Sequence, residues 1–381
     1  MIPYGRQSIS EQDIAAVVAV LRSDWITQGP AITAFEQGLA AYCGAPHAVA
    51  VANATAALHI ACLALQVGPG DLVWTSPNTF LASANCALYC GAQVDFVDID
   101  PVTYNLCPQA LERKLEQAAQ AGRLPKVVIP VHFAGQSCDM AAIAALAQRY
   151  GFRVIEDASH AVGADYRDGK VGNCAYSDLT VFSFHPVKIL TTAEGGMVLT
   201  RQPALHQALQ LLRSHGMTRD QALLQHPDEG AWYYEQVALG YNYRITDLQA
   251  ALGLSQLSRL DEFVARRRAL AARYDTLLAP LALRTPGQAA SGRSAYHLYP
   301  IHVAPERRRA VFDALRAQGV GANVHYIPVY QQPYYQRLGF QSGLCPQAES
   351  YYAGAISLPL YYALSEAEQD QVVAAVRSAL A

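Results

Sequence analysis

Lysine is scarce in this 381-residue chain: four lysines stand against 24 arginines. No two cysteines have CxxC spacing, no HExxH run occurs, and neither a GxGxxG nor a Walker pattern is present. These gaps argue against a metal centre and against a dinucleotide- or ATP-binding loop. Charge is thin at 15% and nearly balanced, with 28 basic and 31 acidic residues, so nothing favours nucleic acid or anionic lipid as a partner. The longest apolar stretch, 48–67, is broken by Asn53, Thr55, His59 and Gln66, which excludes it as a membrane span. The start, MIPYGRQSISEQDI, has neither a basic n-region nor an apolar h-region, so no secretory signal is expected. Several of the eight cysteines sit among Ala and Leu as small core residues, which suits a reducing cytoplasm. What remains is a chain 52% hydrophobic, long enough for two domains and a sizeable core.

Short apolar runs alternate with helical patterns through the first 200 residues. AVAVAN (48–53), DLVWTSP (71–77), QVDFVDID (93–100), KVVIPVHF (126–133), FRVIED (152–157), LTVFSFH (179–185) and GGMVLT (195–200) read as strands. The helices between them predict an α/β fold with a mostly parallel, doubly wound sheet. After residue 246 one long helix (246–278) is expected. A Pro/Gly/Ser-rich link follows, then strands at 297–303 and 323–328 and a last helix at 365–380. This predicts a large domain over 11–245 and a smaller α+β domain over 246–381, with residues 1–10 packing near the cleft between them.

Ligands of such sheets bind beyond the carboxyl ends of the strands. Lys188 lies there, after LTVFSF, whereas Lys114, Lys126 and Lys170 fall on a polar helix face, at a strand start and in a turn. A lysine in a partly apolar pocket has a depressed pKa and a nucleophilic amine; a solvated loop lysine is the alternative. Asp157 ends FRVIED, as a ligand-facing carboxylate or a helix cap. Asn53-Ala54-Thr55-Ala56 joins the first strand to its helix, where free N–H groups suit a phosphate or simply a cap. Ser183 can add a hydroxyl there. Phe80, after the second strand, either covers a flat ring or packs in the core. Pyridoxal phosphate would use all of these together: a lysine, a carboxylate for the pyridine nitrogen, an anion site and a stacking group.

The chain resembles the DegT-like sugar-nucleotide aminotransferases of the fold-type I PLP-dependent transferases. The segments that carry the likeness include NATAAL (53–58), SPNTFLASANC (76–86), EDASHAVGADY (156–166), SFHPVKILTTAEGGM (183–197), GYNYRITDLQAALGLSQL (240–257) and NVHYIPVY (323–330). The resemblance implies a large, mostly parallel seven-stranded sheet domain with a smaller C-terminal α+β domain. It makes Lys188 the Schiff-base lysine and proton shuttle, and Asp157 the partner of the pyridine nitrogen. Thr55, the Ala56 amide and Ser183 would hold the phosphate, Phe80 would stack on the ring, and His160 would help orient it. Asn242 would reach the neighbouring subunit's site, which implies a homodimer with shared active sites. Tyr4, Asp24, Trp25, Ile26 and Thr27, together with Asn323, Val324, His325 and Tyr326, would line the sugar-nucleotide cleft, joined by Ala54, Ser183 and Asn242. Arg244 would meet the uridine diphosphate or the donor carboxylate. Many relatives have Gly where Ala54 stands, so Ala54 must tolerate a tight turn. FHPVK, RSHGMTRD and WYYEQVALGYNYRITD narrow the likeness to members that aminate C4 of a UDP-linked 4-keto-6-deoxy-N-acetylhexosamine in pseudaminic acid biosynthesis. L-Glutamate is the expected donor and pyridoxamine phosphate the form of the cofactor between half-reactions. Relatives that dehydrate sugars carry histidine at the lysine position, so Lys188 favours transamination.

Overall fold

The computed structural model describes residues 1–381, apart from the side chain of Asp228. Seven of the apolar runs form one sheet: β1 (His47–Val51), β2 (Leu72–Thr75), β3 (Gln93–Phe96), β4 (Val127–Ile129), β5 (Arg153–Asp157), β6 (Leu179–Ser183) and β7 (Gly196–Thr200). Their spatial order is β1-β7-β6-β5-β4-β2-β3. The pairings are parallel except those of β7, which runs antiparallel to β1 and β6. The expected seven-stranded, mostly parallel sheet is therefore present. Burial on both faces explains why its strands read as continuous apolar runs: every residue of β6 and β7 is buried.

Side chains fix where the helices begin. In α1 (Glu11–Leu21) Ser10 and Asp13 form a reciprocal capping box, while α2 (Pro30–Cys43) opens on proline, whose missing N–H costs nothing in a first turn. Asn53 caps α3 (Ala54–Ala64), which is buried continuously from Ala56 to Cys62 because it packs under the sheet. The short α4 (Ala82–Tyr89) follows the loop after β2.

Two expectations are corrected. The single helix over 246–278 is two helices, Asp247–Leu257 and Leu260–Leu278, parted at Ser258 and Arg259. Arg259 leaves the helical region (φ −112°, ψ 7°), and its guanidinium pairs with the buried Asp13 at 2.5 Å. Leu257, Leu260 and Val264 stay in phase across the break, which is why the periodicity looked continuous. The strand at 323–328 is absent but for one bridge, Asn323 to Ser357. Side chains take its amides instead: Val324 N–H donates to Asn323 Oδ1 at 2.8 Å and Tyr326 N–H to Asn78 Oδ1 at 3.4 Å.

A separate apolar cluster gathers Leu270 to Leu278, Tyr299 to Val303 and Val372 to Val376. The N-terminus joins it: Ile2 and Gly319–Gly321 exchange backbone hydrogen bonds, and Leu360 N–H donates to Tyr4 carbonyl oxygen at 3.0 Å. That contact carries Tyr4 to the mouth of the cavity described next.

Candidate functional site

A cavity of about 990 Å³ opens at the carboxyl ends of the strands. Asn53–Ala56 follow β1, Thr79 and Phe80 follow β2, and Asp157 and His160 come from the end of β5. Ser183 and Lys188 follow β6, while Tyr4 and residues 323–327 close the far side. The sheet thus brings together Tyr4, Ala54, Thr55, Ala56, Phe80, Asp157, His160, Ser183, Lys188, Asn323, Val324, His325 and Tyr326.

Lysine pairing separates one lysine from the rest. Lys114 pairs with Asp95 at 2.7 Å, Lys126 with Asp71 at 2.9 Å and Lys170 with Asp165 at 2.8 Å. Lys188 has no hydrogen-bond or ion-pair partner for its amine among the described residues and faces the cavity. Burial lowers its pKa from 10.5 to about 8, against the opposing pull of the Asp157 carboxylate. A neutral amine therefore dominates above that pH. In the cofactor-free protein, acylation of Lys188 followed by mass spectrometry should rise with a midpoint near pH 8, whereas a midpoint at the ordinary 10.5 would reject this environment.

Asp157 is buried, with both oxygens engaged. Ser83 Oγ donates to Oδ2 at 2.6 Å, and Ser159 N–H donates to Oδ1 at 3.1 Å.

The start of α3 supplies a positive pole, with the Ala54 and Thr55 N–H groups in its first turn. The Ala56 amide is not free as expected: it donates to Asn53 Oδ1 at 2.8 Å, closing the cap. The strand β7 packs hard against this turn. A Cβ on Gly196 would lie 2.6 Å from the Asn53 carbonyl carbon and 2.7 Å from the Ala54 nitrogen, so only glycine allows the approach. Gly196 is paired with Ser183, which brings that hydroxyl alongside the same turn.

Phe80 keeps 60% of its surface exposed although it lines the cavity. Its ring is free to cover a flat ligand, with Tyr326 tilted against it at 6.4 Å. Three histidines sit around Lys188. His160 Nδ1 accepts the Ala134 N–H at 3.3 Å, so Nε2 carries the proton and donates to Tyr326 Oη at 3.3 Å. Burial and the nearby lysine push His160 well below its ordinary value, and push His325 down to about 3. His297 packs tilted against His160, with ring centroids 4.4 Å apart and planes at 49°, and its buried Nδ1 has no partner among the described residues. Gly135 makes this contact possible: at φ +104° its missing Cβ leaves room for the Tyr296 and His297 amides, which would otherwise lie 2.7 and 2.8 Å from it.

Asp24, Trp25, Ile26, Thr27, Asn242 and Arg244 are not among the cavity's lining residues. Trp25 and Ile26 are more than half exposed, and Thr27, Asn242 and Arg244 bridge to Thr246, Ser214 and Val51. Conversely, Ser83 and His297 join the site without having been expected there. Ser83 is spaced four residues from Thr79 in SPNTFLASANC, a legible signal, whereas His297 begins an ordinary apolar run and carries none.

A family model described as the DegT/DnrJ/EryC1/StrS aminotransferase family matches residues 7–377. The spore coat polysaccharide biosynthesis protein SpsC of Bacillus subtilis is 43% identical, over 99% of this chain and 96% of that protein. The structure of Helicobacter pylori PseC, an aminotransferase involved in the biosynthesis of pseudoaminic acid, superposes with a TM-score of 0.91 at 30% identity, covering 100% of this chain and 99% of that one. A Streptococcus pneumoniae protein described as a sugar aminotransferase matches in its PMP-form (TM-score 0.91, 32% identity, 100% and 99% coverage) and its PLP-form (0.89, 31%, 100% and 100%).

Proposed function

The chain belongs to the DegT/DnrJ/EryC1/StrS family of PLP-dependent sugar aminotransferases, and from that premise we propose that it moves an amino group from L-glutamate to C4 of a UDP-linked 4-keto-6-deoxy-N-acetylhexosamine. The product would be UDP-4-amino-4,6-dideoxy-N-acetyl-β-L-altrosamine. The observation that carries the reading is the one lysine unpaired among the described residues, facing a cavity that also holds a buried carboxylate.

Three features support the fit to pyridoxal phosphate: a free amine at Lys188, a carboxylate held at both oxygens, and a helix start that only glycine at 196 lets β7 approach. When bound, the cofactor supplies an electron sink and carries the amino group between the two substrates. In this proposal Lys188 Nζ holds the cofactor at rest. It then takes the proton from the donor's Cα and returns one to sugar C4. Asp157 stabilises positive charge on the ring nitrogen. The Ala54 and Thr55 amides, the Thr55 hydroxyl and Ser183 bind the phosphate; the Ala56 amide joins only if Asn53 releases it. Phe80 covers one ring face, and His160 orients the ring. Tyr4 and Asn323–Tyr326 contact the sugar nucleotide. Asp24–Thr27, Asn242 and Arg244 stand apart from the cavity of their own chain; Asn242 is proposed to reach the neighbouring subunit's site in a homodimer, while Asp24–Thr27 and Arg244 keep their proposed contacts to the sugar nucleotide.

Incubation with glutamate and a panel of UDP-linked keto sugars, followed by mass and NMR identification, tests the assignment. Amination of the 4-keto-6-deoxy-N-acetylhexosamine is expected. Turnover confined to a 3-keto or perosamine-type sugar would overturn the acceptor but not the reaction.

A further inference from the structure

Two hydroxyls form a chain to Asp157 that the scheme above leaves without a role, one of them on Thr79 at the cavity wall. Thr79 and Ser83 flank Phe80 in sequence, and their oxygens are 2.7 Å apart. Ser83 Oγ is 2.6 Å from Asp157 Oδ2 and 3.5 Å from the Phe80 carbonyl oxygen, so the nearer and charged acceptor takes its proton. Thr79, Ser83 and Asp157 are at most 4% exposed, and water does not substitute for a missing partner.

The protons can be counted. Each hydroxyl has one to give, and an ionised carboxylate has none. Ser83 must therefore donate to Asp157 and accept from Thr79. The chain of bonds then has a single polarity, running from Thr79 through Ser83 to the carboxylate. Ser159 N–H holds the other oxygen from the opposite side, so the carboxylate cannot swing. The relay also leaves β2 through the residue whose ring covers the cavity. One five-residue segment, Thr79–Ser83, therefore carries both the aromatic cover and the support of the carboxylate.

We propose that Thr79 and Ser83 are positioning residues that hold the Asp157 carboxylate in place and aimed at the ring nitrogen of pyridoxal phosphate. This rests on the assignment of Asp157 to that nitrogen. The relay acts through Asp157. Any residue that keeps a hydroxyl at the Ser83 Cβ preserves it, and a side chain of the same bulk without one does not.

The test uses the holoenzyme loaded with pyridoxal phosphate labelled with ¹⁵N in the ring, whose chemical shift reports protonation, together with cofactor Kd. In Ser83→Ala the nitrogen signal should move toward the unprotonated position, and affinity should fall about 10- to 100-fold, the span for losing a hydrogen bond to a charged group. Ser83→Thr should retain both properties. Thr79→Val should shift both in the same direction but less, because Ser83 remains to donate. Should Ser83→Ala fail to fold, Thr79→Val decides, and an unchanged spectrum and Kd there would overturn the proposal. Asp157→Ala separates the two levels of the argument. If it loses the protonated signal while Ser83→Ala keeps it, the relay is refuted and the site assignment stands. If Asp157→Ala keeps the signal as well, the site assignment itself fails.

Discussion

Lys188→Ala is expected to lose turnover with glutamate and any keto-sugar nucleotide, by at least about 10²–10⁴-fold from general acid–base chemistry alone. The loss should be close to complete, because Lys188 Nζ is proposed to both hold the cofactor and move the proton. No other lysine among the described residues lines the cavity, and the other three are tied to Asp95, Asp71 and Asp165. Lys188→Arg separates charge from chemistry. It restores a cation, but a guanidinium is not deprotonated in proteins and offers no neutral amine. Both variants should therefore be inactive, while a small primary amine added to Lys188→Ala should recover part of the rate by entering the vacated volume. Steady-state rates and single-turnover absorbance check this, with a thermal melt to show that the fold survives. Substantial activity in Lys188→Ala would move the base elsewhere. His297, with its unpartnered Nδ1, would then be the first residue to examine.

The parts of the site carried by strand ends were legible because burial forces continuous apolar runs, and the residue that ends such a run stands out. Asp157 at the end of FRVIED is of this kind, and Lys188 follows LTVFSF closely. Features that depend on what packs against a segment were not legible. NVHYIP alternates as a strand would, yet Asn323 and Asn78 satisfy its amides, and the segment is irregular. The break at Arg259 is set by Asp13, 246 residues away in sequence, which no local period reports. The same is true of the Ala56 amide. The sequence shows a donor at a helix start, and only the packed structure shows Asn53 already bonded to it. His297 lies beyond sequence reasoning for a related reason: its place depends on Gly135, whose bare backbone lets two distant loops meet.

Asp157→Asn tests the electrostatic half of the proposal. Asparagine has the same shape: with its oxygen kept on the Ser159 N–H, its NH2 donates to Ser83 Oγ, whose own proton turns to Thr79 or the Phe80 carbonyl, so folding should be little changed. What disappears is the negative charge. A neutral amide does not hold a proton on the ring nitrogen, and the site is too buried for water to replace it. The expected cost is about 3–4 kcal/mol in the barrier, or a factor of about 10²–10³ in rate, the range for losing one preorganised electrostatic contact. It should appear equally in the glutamate and keto-sugar half-reactions, because both draw on the same ring. An unimpaired rate in either half would reject the assignment. A second readout is independent of turnover. The Asp157 charge raises the pKa of Lys188, partly offsetting burial. Removing it should carry the Lys188 acylation midpoint in the cofactor-free protein below pH 8, while Ser83→Ala, which keeps the charge, should leave that midpoint nearly in place. The sign is what matters: a midpoint that stays put or rises in Asp157→Asn would mean that the lysine and the carboxylate do not share one electrostatic environment.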